Sequence, residues 1–150
     1  MSKSANPVET TDILQDQAMQ RSNTDNAPRS AIHQTLYSAD TFVQHDYLAG
    51  KNLPDITRPQ EGQINWLHFV GINDVALLKH ALEPYGIHEL VIEDILSRKQ
   101  RPKIEDYGSY VFTAAQVYHY TSTGKLHSDQ VYVIIGKDFV LSFQQKPLGL

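Results

Sequence analysis

Two different periods of apolar residues follow one another along this chain, and no all-helical or all-strand fold accommodates both. Between Asp74 and Ser97 the apolar positions recur at helical spacing. At about 100° per residue, Val75, Leu77, Leu78, Ala81 and Leu82 fall on one face, and Lys79, His80 and Glu83 on the other. Asn73 is placed to cap this helix, and Pro84 and Gly86 to end it. A second helix is predicted from about His88 to Ser97, with Val91, Ile92, Ile95 and Leu96 inward. Its opposite face carries Leu90, Glu93, Asp94 and Ser97. From Ser109 the period changes. Tyr110–Tyr120, Gln130–Ile135 and Phe139–Phe143 are rich in β-branched and aromatic residues. Thr121–Gly124 and Gly136-Lys137-Asp138 connect them, so an antiparallel three-strand meander is expected.

Ahead of the helices lie two short strand candidates, Ile32–Tyr37 and Thr41–Tyr47, joined by Ser38-Ala39-Asp40 as a turn. Gly50–Gly62 contains Pro54 and Pro59 and reads as a loop, and Ile64–Phe69 reads as a further strand. Strands on both sides of the helices make a mixed α/β domain. The 150 residues fit one such domain. Aromatic residues are 9% of the chain, yet the first is Tyr37. Residues 1–30 therefore offer little to bury and are expected to form a disordered polar tail, with the domain spanning 31–150.

Composition removes several functions. The absence of cysteine excludes disulfides, thiolate zinc sites, iron–sulfur clusters and cysteine nucleophiles. Thirteen Lys and Arg stand against 17 Asp and Glu, a net charge of -4, which argues against nucleic acid as a partner. The longest apolar run, Val131–Ile135, is far short of the ~20 residues a membrane span needs. Residues 1–20 lack a signal-peptide core. A soluble intracellular domain is the expectation from these facts alone. No phosphate-binding loop, dinucleotide fingerprint or nucleophile elbow is present. His88-Glu89 opens like a zinc-protease motif, but Ile92 stands where the second histidine would be. An enzyme is not expected, although a site assembled from distant residues leaves no motif.

Three groups of residues could carry chemistry. His119 and His127 could meet across a hairpin as a metal pair, but without a carboxylate cluster they read as ordinary strand histidines. Arg98, Lys99, Arg101 and Lys103 hold four of the 13 basic residues and read as a solvated loop beyond a helix C-terminus, or alternatively as a docking patch. Glu93-Asp94 is the most informative pair. It reads either as a charged solvent face or as half of an oxygen-ligand site for a hard divalent cation, since Mg²⁺ is usually held by one or two carboxylates plus waters. Two carboxylates on one convex helix do not enclose an ion, so a second element has to complete the site.

The run Gly86-Ile87-His88-Glu89-Leu90-Val91-Ile92-Glu93-Asp94-Ile95-Leu96 is followed by Gln100-Arg101-Pro102-Lys103 and then Tyr110-Val111-Phe112. With the strand and helix from Trp66 to Leu82, and the later Gln130-Val131 and Phe139–Gln144, it resembles the N-terminal cytosolic domain of the CorA family of magnesium and cobalt transporters. The resemblance covers roughly Ile32 to Lys146. It implies an α/β/α sandwich with a mixed, partly antiparallel sheet. It also implies a homopentamer, in which a stalk helix and two membrane helices with a Gly-Met-Asn signature follow the domain. Leu150 precedes that stalk, so the chain is expected to be a soluble domain fragment of a protein at the cytoplasmic face of the inner membrane. The family's regulatory divalent site between subunits maps onto Asp94, with Glu93 beside it, and its partner carboxylate belongs to the neighbouring stalk. Regulatory Mg²⁺ is then the expected ion, with Co²⁺ as a second candidate and weak binding in the isolated fragment. The alternatives are the cytosolic domain of a ZntB-like zinc transporter, which lacks the Glu-Asp-Ile pattern, and a free-standing interaction domain of the same fold.

Overall fold

The computed structural model describes residues 30–49 and 54–146. The tail expected over 1–29, residues 50–53 of the predicted loop, and 147–150 lie outside the described residues. Ser30, counted with the tail, is buried, and its hydroxyl bonds the Gly71 carbonyl while accepting from the Asn73 and Asp74 amides.

The described strands are β1 (Ala31–Tyr37), β2 (Phe42–Leu48), β3 (Ile64–Val70), β4 (Lys103–Asp106), β5 (Tyr110–Tyr120), β6 (Leu126–Gly136) and β7 (Phe139–Gln144). Two helices, α1 (Val75–Leu82) and α2 (Glu89–Ser97), follow β3, with a 3-10 turn at Glu83–Tyr85 between them. Among the described residues the strands form one sheet in the order β2-β1-β3-β7-β6-β5-β4. β3 and β7 run parallel, and every other neighbouring pair is antiparallel. The α/β class with a mixed sheet is as expected, and so is the β5–β6–β7 meander.

Register explains the core. Leu67 lies opposite Gln34 and Leu141, and Ile134 lies opposite Leu141 and Phe112. Period-2 alternation therefore sends Ile32, Leu67, Leu141, Ile134 and Phe112 to one face, where each is fully buried. Both helices pack on that face through Leu77, Leu78, Ala81, Leu82, Val91 and Ile95. Burying one such side chain contributes about 1.5–3 kcal/mol. Gln34 and Asn65 also point inward, and a closed polar network satisfies them. Gln34 donates to Asn65 Oδ1 at 2.9 Å and to the Thr57 carbonyl at 2.7 Å, Tyr47 donates to Gln34, and Asn65 donates to the Tyr85 hydroxyl. The network fastens the segment around Thr57 to the sheet. Gly136 is required by close approach, because an added Cβ would lie 2.2 Å from the Phe139 ring.

The opposite face carries His33, Trp66, His68, Val133 and Val140, and no described helix packs on it. Trp66 is 42% exposed there.

Several details differ from expectation. The α1 cap is Asp74, one residue later than predicted, its carboxylate accepting the Leu77 amide at 2.9 Å. A charged carboxylate suits the positive end of a helix better than the Asn73 amide does. Asn73 instead accepts from Arg98 and Gln145. Val75, predicted inward, is 45% exposed, because it lies about 90° from the centre of the four buried positions. Residues 98–102 form a loop as expected, but Lys103 at its end opens strand β4, which was not predicted. Its apolar residue, Ile104, is 74% exposed while Lys103 and Glu105 face the helices, an inversion that hydrophobic patterning does not detect.

Candidate metal site at the end of helix α2

Helix α2 is held at both ends. His88 caps it by accepting the Leu90 amide at 3.2 Å. Arg98 ends it in the left-handed region, with φ 57°. The Arg98 guanidinium then donates to the Ile72 carbonyl at 2.8 Å and to Asn73 Oδ1 at 2.9 Å, tying the helix end to the end of β3. The reversal brings Gln100 back alongside the helix. A reciprocal pair holds it: the Gln100 amide donates to Gln130 Oε1 at 2.9 Å, and Gln130 Nε2 donates to the Gln100 carbonyl at 2.5 Å.

Asp94 faces this turn. Its Oδ1 accepts from Gln100 Nε2 at 2.8 Å, and its Oδ2 accepts from Lys103 Nζ at 2.7 Å. Lys103 Nζ also stands 3.1 Å from Glu105 Oε2. The carboxylate of Asp94 is 25% exposed and the Lys103 side chain 28%. The hydrogen bond to Asp94 is the main reason the Lys103 ammonium titrates above the ordinary lysine range. Tyr132 lies beneath. Its hydroxyl has no hydrogen-bond partner among the described residues, and burial, reinforced by the Asp94 charge, pushes its pKa up to about 12.

Glu93 points elsewhere. It is exposed and lines the groove between α1 and α2 with Lys79, Glu89, Ile92 and Leu96. The two acids were expected to share the solvent face of α2. The structure separates them, because Asp94 is drawn toward β4 by Gln100 and Lys103. Leu90 is 58% exposed, as expected.

A carboxylate oriented by Gln100 at the domain edge offers the oxygen donor a hard cation takes, with Lys103 standing on its second oxygen. Among the described residues no group of three or more His, Asp or Glu side chains converges to hold an ion. Asp94 is thus at most part of a site. His119 and His127 do face each other, with ring centroids 5.9 Å apart, and Asp129 Oδ2 lies 3.7 Å from His119 Nδ1. That arrangement does not converge either. His80 is exposed, its Nε2 3.1 Å from the Pro54 carbonyl. In the basic cluster, Arg98 and Lys103 are engaged within the domain, which leaves Lys99 and Arg101 exposed.

Sequence reasoning missed Gln100, Lys103 and Glu105 as partners of Asp94. Their meeting depends on the reversal at Arg98, and a non-glycine residue with positive φ carries no signal in the sequence.

The sequence profile of a family described as CorA-like Mg2+ transporter protein matches residues 61–150. The cobalt/magnesium transport protein CorA of Thermotoga maritima is 40% identical over 82 residues, covering 54% of this chain and 23% of that protein. The putative metal ion transporter YfjQ of Bacillus subtilis is 34% identical over 107 residues, covering 69% of this chain and 31% of that protein. The chain thus spans about a quarter to a third of the length of these curated relatives. Among solved structures, the soluble domain of CorA from Methanocaldococcus jannaschii superposes with a TM-score of 0.57 at 9% identity, covering 78% of this chain and 41% of that one. The full-length CmaX protein superposes at 0.55 with 16% identity, covering 81% and 36%. At such identities the likeness is one of fold. The profile match extends over more than half of the sequence, and the chain belongs to the CorA-like Mg²⁺ transporter family.

Proposed function

We propose that this chain is the regulatory cytosolic domain of a CorA-type Mg²⁺ or Co²⁺ transporter. Asp94 supplies one subunit's share of a divalent site between neighbouring subunits, and its sequence neighbour Glu93, turned toward the groove between α1 and α2, does not share the same ion in this reading. The observation that supports this reading is the carboxylate of Asp94, held in a fixed direction by Gln100 and Lys103 at the end of a rigid helix. The Gln100 bond to Oδ1 keeps that orientation when the ion arrives and lowers the cost of ordering the ligand, whereas the Lys103 ammonium on Oδ2 has to give way to the ion.

The physics of the switch is simple. Two carboxylates about 4 Å apart repel by about 4 kcal/mol at an effective dielectric near 20. A divalent ion between them reverses the sign. Bound Mg²⁺ therefore favours the arrangement that draws subunits together, which is the closed channel. When the ion leaves, that attraction is lost and the assembly loosens. In this reading the full-length protein is a homopentamer at the cytoplasmic face of the inner membrane, and its own stalk supplies the second carboxylate. Its ion is cargo and signal, and no bond-making step is assigned to the chain.

The test is protease protection of the stalk in the full-length protein as Mg²⁺ or Co²⁺ is titrated. Protection rises with the ion in the native protein, and Asp94→Asn shifts the midpoint upward by about tenfold or more, the scale of losing one charged ligand. A protection curve unmoved by Asp94→Asn removes Asp94 from the sensor.

A further inference from the structure

The Lys103 ammonium sits between two carboxylates that come from different elements. Asp94 Oδ2 on α2 lies 2.7 Å from it, and Glu105 Oε2 on β4 lies 3.1 Å from it. Alternation along β4 puts Lys103 and Glu105 on the same, helix-facing side of the strand. Asp94 meets them from the last turn of α2. The Lys103 side chain is packed, with its Nζ 5.5 Å from the centre of the buried Phe112 ring. A positive charge is therefore held where the two acids converge. The Tyr132 hydroxyl on β6 is buried and has no hydrogen-bond partner among the described residues.

We propose that Lys103 is a resident competitor for the divalent cation, its ammonium filling the place between Asp94 and Glu105 that the ion takes, and that Glu105 is a further ligand there. This rests on the reading of Asp94 as a ligand and adds what sets its threshold. An ion that bonds Asp94 directly has to displace the ammonium and its hydrogen bonds. The exchange replaces one positive charge by two and frees the lysine into water. Because the ammonium is tethered, it competes at the same strength at every ion concentration. It raises the concentration at which the site fills, and it prevents bare repulsion between Asp94 and Glu105 when the site is empty.

The test uses the 150-residue chain, with Mn²⁺ as a paramagnetic hard-cation probe and Mg²⁺ as competitor. The readout is broadening of the Gln100 side-chain amide in two-dimensional NMR, since that amide bonds Asp94. Lys103→Met keeps the stem against Phe112 and removes the charge. It is expected to lower the Mn²⁺ midpoint by about fivefold or more, the scale of one unit charge beside a partly exposed carboxylate. Adding Glu105→Gln to Lys103→Met is expected to reverse the gain. If Lys103→Met does not fold, Lys103→Gln carries the same comparison. An unchanged midpoint in the lysine variant, with broadening abolished by Asp94→Asn, overturns the competitor role and leaves Asp94 as a ligand. An unchanged midpoint after Glu105→Gln removes Glu105. Broadening that survives Asp94→Asn overturns the ligand reading itself, and this inference with it.

Discussion

His68 shows what the uncovered face of the sheet does to one side chain. It lies opposite His33 across β1 and β3, with ring centroids 6.1 Å apart. Its Nδ1 is 2.7 Å from the Ser142 hydroxyl, Trp66 meets its ring edge-on, and Asp46 holds His33 at 2.7 Å. Burial, and then the neighbouring His33, lower its pKa below the usual histidine value. A histidine with a depressed folded pKa binds fewer protons folded than unfolded. Stability therefore falls as pH drops below about 6.5 and levels off beneath the folded pKa. We expect denaturant-measured stability to decline between about pH 7 and pH 5, with a shallower decline in His68→Gln. The full native slope retained in His68→Gln would place the effect on other groups. None of this was legible beforehand, because the alternation of Ile64–Phe69 says which residues share a face but not what lies across from them.

At the level of elements, helices α1 and α2 were read nearly to the residue, because apolar spacing and punctuation by Pro84 and Gly86 agree. Strand β4 was not, because its charged residues face inward and its isoleucine faces out. The partners of Asp94 were lost with it. The end of α2 deserves its own experiment, since Arg98 occupies a conformation that glycine adopts more easily. Arg98→Ala loses the guanidinium bonds to Ile72 and Asn73 and keeps the backbone strain. Arg98→Gly loses the same bonds and relieves about 1 kcal/mol of that strain. Urea melts are expected to show Ala less stable than Gly by about 1 kcal/mol. Equal stability would mean that the left-handed turn is not retained in solution.

For the whole molecule, both described helices pack on one face of a seven-strand sheet, and Trp66 and its neighbours are left accessible on the other. No helix among the described residues is long and apolar enough to cross a membrane. Family membership and fold were legible because the Glu-Asp-Ile segment and the strand pattern around it are local. Of the proposed divalent site only the acids Glu93 and Asp94 were legible, because that proposal places its completion on another chain. The central claim is that a cation at Asp94 draws neighbouring subunits together. The most direct measurement is a pulsed-EPR distance between copies of the full-length protein, spin-labelled at Lys99→Cys in an otherwise cysteine-free background. With Mg²⁺ the distance distribution should shorten and narrow. After chelation it should lengthen and broaden, and in Asp94→Asn it should stay broad at either concentration. An Asp94→Asn protein that tightens with Mg²⁺ as the native one does would contradict the account.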